Sequence, residues 1–226
     1  QKTAYEIPKR DWSSDVCSSD LGSIREVALD SGQQATIATG APASVGAAFG
    51  PDDTSIVVGV PGKGLEVRRG DRVEALTSLD RARGERAYAW PQWVPSLKAV
   101  VFTIVYEAQE RADVALVGIE RREPPRVLAS GRIGRYRSDG SLAIGRADAV
   151  WSMAITSGGA VRGATLTASD VLVPSDGTPI FDASGSALAM AVDRGDGVSL
   201  VRSSGTASTQ LSEDRGAFAH PRLSPD

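Results

Sequence analysis

A turn-and-strand unit recurs along this chain at a nearly constant interval, and that interval restricts the fold more than any other property. In each unit a bulky apolar residue precedes a turn, in most cases rich in Pro, Asp, Ser and Gly, and the turn leads into an apolar run. It reads AAFGPDDTSIVVGV (47–60), PQWVPSLKAVVFTI (91–104), GRYRSDGSLAIGR (134–146), PIFDASGSALAMAV (179–192) and PRLSPD (221–226). The bulky residues Phe49, Trp93, Tyr136, Phe181 and Leu223 stand 44, 43, 45 and 42 positions apart. Units of this size are too small to bury a core alone and become stable by stacking on their neighbours.

Inside each period the sequence offers short runs rich in Val, Ile, Leu and Thr, bounded by Gly, Pro, Asp and Ser. TSIVVGV, GLEVRR and VEALTS follow the first turn; AVVFTIV, DVALVGIE and RVLAS follow the second. SLAIGR, AVWSMAI and GATLTASDVLV come next, then ALAMAV, VSLVRS and STQLS. Such runs are strands, and no stretch carries helix caps followed by a 3.6-residue period. The fold class expected is therefore all-β, a β-propeller fragment of four-stranded antiparallel blades, open at both ends. The expected divisions are a blade remnant at 22–40, blades at about 41–84, 85–130, 131–175 and 176–216, and the start of another at 217–226. In GPDD, RSDG and DASG the turn residues are expected to reverse the chain, with the bulky residue packing between blades. Open first and last edges predict that 22–226 expressed alone aggregates or folds poorly.

Residues 1–21 stand apart. DWSSDVCSSDL (11–21) resembles an in-frame translation of a DNA-sequencing library adapter, and QKTAYEI (1–7) resembles the flow-cell end of the same oligonucleotide. Pro8, Lys9 and part of Arg10 fill about eight nucleotides between them, the length of a sample index. This segment is expected to be non-native and disordered, and it is set aside from fold reasoning. Without it the chain keeps 22 Lys+Arg and 24 Asp+Glu, a net charge of −2, and loses its single cysteine, Cys17. No disulfide or thiolate chemistry remains. The near-neutral balance, without a block of like charge, argues against a nucleic-acid groove or an anionic-membrane patch. No apolar run reaches the roughly 18 residues of a membrane span, so no membrane insertion by this segment is expected.

Candidate chemistry is sparse. His220 is the sole histidine, sits before Pro221, and has no Gly-x-Ser-x-Gly elbow to supply a nucleophile. GVPGKGLEV (59–67) has phosphate-loop glycines but opens onto a strand, so it reads as a hairpin. DRGDG (193–197) offers too few oxygen ligands for calcium and also reads as a hairpin turn. The Arg-Gly-Asp triplets at 69–71 and 194–196 fall in expected turns. The aromatics Tyr88, Trp90 and Trp93 could anchor a peptide or partner protein, with Trp93 expected as a wedge between blades. No catalytic, cofactor-binding or metal-binding residue is assigned, and no cofactor is expected.

HPRLSPD (220–226), WPQWVPSLKAVVFTI (90–104) and FGPDDTSIVVG (49–59) resemble TolB-like, WD-repeat-like propellers. EALTSLDRARGERAYAWPQWVPSLKAVVFTI (74–104) is similar to the propeller that follows the catalytic domain of bacterial eukaryotic-like serine/threonine protein kinases. The resemblance implies a non-catalytic, extracytoplasmic or periplasmic sensor or interaction platform with a protein or peptide partner. Kinase motifs are missing here, so ATP chemistry would belong to an upstream part of the parent. Two alternatives stay open: the gating propeller of a prolyl-oligopeptidase-like serine peptidase, and a free TolB-like periplasmic binding protein.

Overall fold

The computed structural model describes residues 24–27, 31–38, 46–52, 54–108, 111–120, 123–156, 158–171, 181–193, 197–204, 207–212, 221 and 223. Residues 1–21 and His220 lie outside the described residues, as do residues 194–196 of DRGDG. The strands come in chain order. A hairpin of β1 (Ile24–Val27) and β2 (Gln34–Ala38) precedes four sheets. The first holds β3 (Ala47–Phe49), β4 (Ser55–Val60), β5 (Gly64–Arg69) and β6 (Arg72–Ala75). The second holds β7 (Glu85–Val94), β8 (Ala99–Tyr106), β9 (Ala112–Gly118) and β10 (Arg126–Ser130). The third holds β11 (Ile133–Tyr136), β12 (Ser141–Arg146), β13 (Ala149–Ile155) and β14 (Val161–Ala168). The fourth holds β15 (Phe181–Ser184), β16 (Ala187–Asp193), β17 (Val198–Ser204) and β18 (Ala207–Gln210). Every sheet is an antiparallel meander whose strands neighbour one another in sequence order.

The sheets are held together face to face. Val57, Leu65 and Val67 of the first sheet share a core with Tyr88, Phe102 and Ile104 of the second. Val94, Val101 and Val114 of the second meet Leu142 and Ile144 of the third. Ile133, Ala143 and Val150 of the third meet Phe181, Leu188, Met190 and Val201 of the fourth. Strand β8 explains why AVVFTIVY is a continuous apolar run: its residues alternate between two such cores, so both faces are dry. Outer strands show the opposite pattern. β14 is exposed at six consecutive positions and β18 along its whole length.

The recurring turns have a local cause. In the first, Asp52 Oδ1 accepts the Thr54 N–H (3.2 Å) and hydroxyl (3.0 Å). In the third, Asp139 Oδ1 accepts the Ser141 N–H (2.9 Å) and hydroxyl (2.6 Å). An Asp followed two residues later by Thr or Ser thus closes both reversals with an Asx turn. The second turn lacks that pair and uses a short 3-10 turn at Pro95–Leu97, ended by Lys98 at φ 47°. DASG departs from expectation: Asp182 and Ala183 belong to β15, and the reversal falls on Gly185 (φ 52°) and Ser186. GATLTASDVLV departs too. β14 ends at Ala168, and after a bend Val171 bridges to Val192 of the fourth sheet.

Asp52 carries an acid-sensitive contribution. Hydrogen bonding from Ser55 first, then from Thr54 and Arg69, outweighs partial desolvation and holds its carboxyl at about 2. Against an unfolded value of about 3.9 the ionised form is favoured in the native state, so the contribution is present above pH ~4 and fades as pH falls towards ~2. The carboxylate is largely exposed, which keeps the effect small. Asp52→Asn is expected to lose less melting temperature than the wild type between those pH values; equal losses would contradict the assignment.

Candidate functional site

The first strands of the four sheets touch in succession, β3 with β7, β7 with β11 and β11 with β15, so they form the common inner edge of the array. Strand pairing sets their equivalence. Phe49 pairs with Ile56, Trp93 with Val100, Tyr136 with Leu142 and Ala183 with Leu188, each opposite the second residue of the strand after the turn. Phe181 therefore sits one pleat earlier than the repeat spacing implied, opposite Met190. Its ring fills the space over Gly145, where a Cβ would approach Phe181 Cε1 to 2.7 Å.

The residues just before these positions are Ala48, Gln92, Arg135 and Asp182, and from Gln92 on each reaches into the following sheet or beyond it. The Gln92 amide donates to the Tyr136 carbonyl (3.0 Å) and accepts the Tyr136 N–H (2.7 Å). Arg135 Nε lies 3.4 Å from Asp182 Oδ1. Asp182 Oδ2 accepts the N–H of Leu223 at 3.0 Å. One position along the inner strand thus supplies a polar clasp from sheet to sheet, satisfying backbone groups that would otherwise be unpaired at an inter-sheet seam. Thr103 adds a parallel tie, its hydroxyl donating to the Arg132 carbonyl at 3.0 Å.

The residues just after the pairing positions are Gly50, Val94, Arg137 and Ser184. Val94 is fully buried in the core between the second and third sheets. Arg137 occupies the same place in the next sheet and is only 6% exposed, yet its Nε and Nη2 have no hydrogen-bond partner. Burial lowers its affinity for the proton, partly offset by Asp139. Neither Arg135 nor Arg137 stood out in the sequence, because GRYR reads as polar residues flanking a turn anchor; only their strand alternation with Ile133 carries the signal.

The aromatic trio separates. Tyr88 is a core residue at 1% exposure, its ring centroid 4.8 Å from that of Phe102, so it is not a partner anchor. Trp93 packs against the core between the first two sheets, as a wedge does. Trp90 is half-buried at φ 54° within a bulge of β7 between Ala89 and Gln92. A left-handed conformation is unusual for a bulky residue. It is held by Gly46 of the first sheet, where a Cβ would lie 2.8 Å from Trp90 Cε3 and 3.1 Å from its Cα. Gly46 itself sits at φ 104°. Gly46→Val is expected to push Trp90 out of this seat and to cost about 1–3 kcal/mol in denaturant unfolding, by overpacking and strain together. An unchanged midpoint would contradict the contact.

Other sequence candidates resolve into turns. The residues of GVPGKGLEV form the β4–β5 hairpin, with Lys63 N–H bonding the Val60 carbonyl at 3.1 Å. Arg69, Gly70 and Asp71 make the β5–β6 hairpin, and Arg69 pairs with Arg72. β16 and β17 pair as far as Asp193 and Val198, on either side of the second Arg-Gly-Asp stretch. Among the described residues no group of three His, Cys, Asp or Glu could hold a metal ion. No described helix is long and apolar enough to cross a membrane.

No family model and no curated relative matches this sequence. Solved structures do. The putative TolB from Agrobacterium tumefaciens superposes with a TM-score of 0.65 at 14% identity, over 85% of this chain and 70% of that one. TolB from Acinetobacter baumannii gives 0.60 at 16% identity, over 84% of this chain. Regucalcin from A. tumefaciens, described as a calcium-binding protein, gives 0.61 at 13% identity over 84% of this chain and 66% of that one. The fold is a β-propeller. At these identities the likeness is one of architecture, and the chain spans about half the length, 48%, of the A. baumannii TolB.

Proposed function

We propose that the propeller is a non-catalytic interaction platform, the extracytoplasmic sensor part of a bacterial serine/threonine protein kinase. The observation that supports it is the TolB-like stacking of four sheets whose inner edge is rich in polar side chains. The described residues spend their short polar contacts on turns, hairpins and sheet-to-sheet ties rather than on a nucleophile–base pair. The kinase assignment rests on the likeness of residues 74–104 to kinase-linked propellers. Sequencing outward from the source DNA tests it. A kinase domain with a membrane-spanning segment upstream is expected. A signal peptide directly upstream would make the chain a free binding protein, and a Gly-x-Ser-x-Gly hydrolase domain downstream would make it a peptidase gate; either would overturn the kinase reading.

The same reading treats residues 1–21 as foreign to the propeller. Deleting them is expected to leave the soluble yield and the β-sheet circular dichroism of the chain unchanged, and a marked loss of either would show that they belong to the fold.

A further inference from the structure

We propose that Arg137, assisted by Arg135, binds a carboxylate at the seam between the third and fourth sheets. The argument begins with position. In the preceding sheet the equivalent residue is Val94, wholly buried among apolar side chains. An arginine in that place takes a charge out of water, and an ion so placed is held only where an opposite charge and hydrogen bonds compensate it. Arg137 has no hydrogen-bond partner at Nε and Nη2.

Among the described residues the nearby charges leave Nε and Nη2 without a partner. Arg135, two residues earlier in β11 and at the same strand alternation, is 3% exposed, so this short stretch buries two arginines. Asp182 faces them from β15, but Oδ1 lies beside Arg135 and Oδ2 accepts the Leu223 N–H. Asp139 is next in the turn, but it is exposed and its Oδ1 is taken by the N–H and hydroxyl of Ser141. Among the described residues no carboxylate oxygen comes within hydrogen-bond reach of Arg137 Nε or Nη2. A guanidinium offers paired donors in a plane, which matches the two oxygens of a carboxylate better than any neutral group. The chain reaches solvent directly after Arg137, since Ser138 and Asp139 are exposed at the tip of the β11–β12 turn.

A carboxylate could arrive free or as the C-terminus of a bound peptide, and only the second source rests on the platform reading. The test uses the full chain at constant ionic strength, with thermal melting followed against succinate, against trialanine with a free C-terminus, and against the same peptide amidated. A saturable rise in melting temperature is expected with succinate or with the free-acid peptide, and Arg137→Met should weaken it by about tenfold or more. Arg137→Met should itself melt no lower than the wild type, since methionine suits a place that holds valine in the preceding sheet. Should that variant fail to fold, Arg137→Lys is read instead; a point charge without the planar fork keeps a weakened response. Succinate acting alone marks a free carboxylate, and the free-acid peptide acting where its amide does not marks a peptide terminus; both support the site. No response in the wild type, or a response that survives undiminished in Arg137→Met or, where that fails to fold, in Arg137→Lys, overturns it.

Discussion

Phe181→Ala is expected to be among the most damaging substitutions in this chain, costing about 3–5 kcal/mol in denaturant unfolding. The ring is fully buried and belongs to the core that joins the third and fourth sheets. It fits over Gly145, so on that side the space it leaves is bounded by backbone. Truncation leaves a cavity at a seam rather than within one sheet. The fourth sheet should then be released before the rest, seen as a broadened or two-step transition, because stacked units depend on nearest-neighbour interfaces. Gly145→Leu tests the same fit from the other side and should also destabilise by overpacking. A loss below about 1 kcal/mol for Phe181→Ala would mean the ring does not seal this seam.

The second large effect concerns Glu85. Its carboxylate is 2% exposed and accepts the Asp80 N–H at 2.8 Å together with the Tyr88 hydroxyl. Asp80 in turn caps the 3-10 turn Arg81–Arg83, its Oδ1 accepting from Ala82 and Arg83. One buried carboxylate thus ties the entry of the second sheet to its core. Glu85→Ala strands two donors and is expected to cost about 2–4 kcal/mol, whereas Glu85→Gln keeps an acceptor and should cost less. Tyr88 also contributes at alkaline pH. Burial first, then the bond to Glu85, pushes its hydroxyl well above the usual tyrosine range. Tyr106 is pushed up to about 12 by burial first and then by its bond to Asp113. A raised acid favours the protonated native state, so these contributions hold below pH ~10 and fade as pH climbs towards ~12. Tyr106→Phe should flatten the alkaline fall in melting temperature, and an unchanged slope would count against the assignment.

The architecture was legible because each level of the sequence agreed with the next. Dry strands such as β8 read as continuous Val, Ile and Phe, and Asp52 and Asp139 announced their turns through a Thr or Ser two residues on. The register of the fourth sheet was not legible. Phe181 falls near the repeat spacing, but a shorter turn at Gly185 and Ser186 moves it one pleat from the equivalent of Tyr136. Spacing counts residues, while register counts pleats, and a change in turn length separates the two. The inner-edge residues were hidden for a related reason. Gln92, Arg135 and Asp182 are ordinary polar residues beside turns, and only pairing shows that they share one position and point into the next sheet. Tyr88 misled in the other direction. Grouped with two tryptophans it suggests a surface patch, yet strand alternation turns it into the core.

Native-state hydrogen exchange on the full chain tests the stacked-sheet account most directly. The two middle strands of every sheet, β4 and β5, β8 and β9, β12 and β13, β16 and β17, should exchange slowest, and the outer strands β6, β10, β14 and β18 fastest. The Tyr136 amide, bonded to the Gln92 side chain rather than to a strand, should be protected in the wild type and exposed in Gln92→Ala. Four repeats of slow inner pairs with fast edges is the result this structure predicts. Protection of β14 equal to that of β12, or a Tyr136 amide indifferent to Gln92, would contradict it.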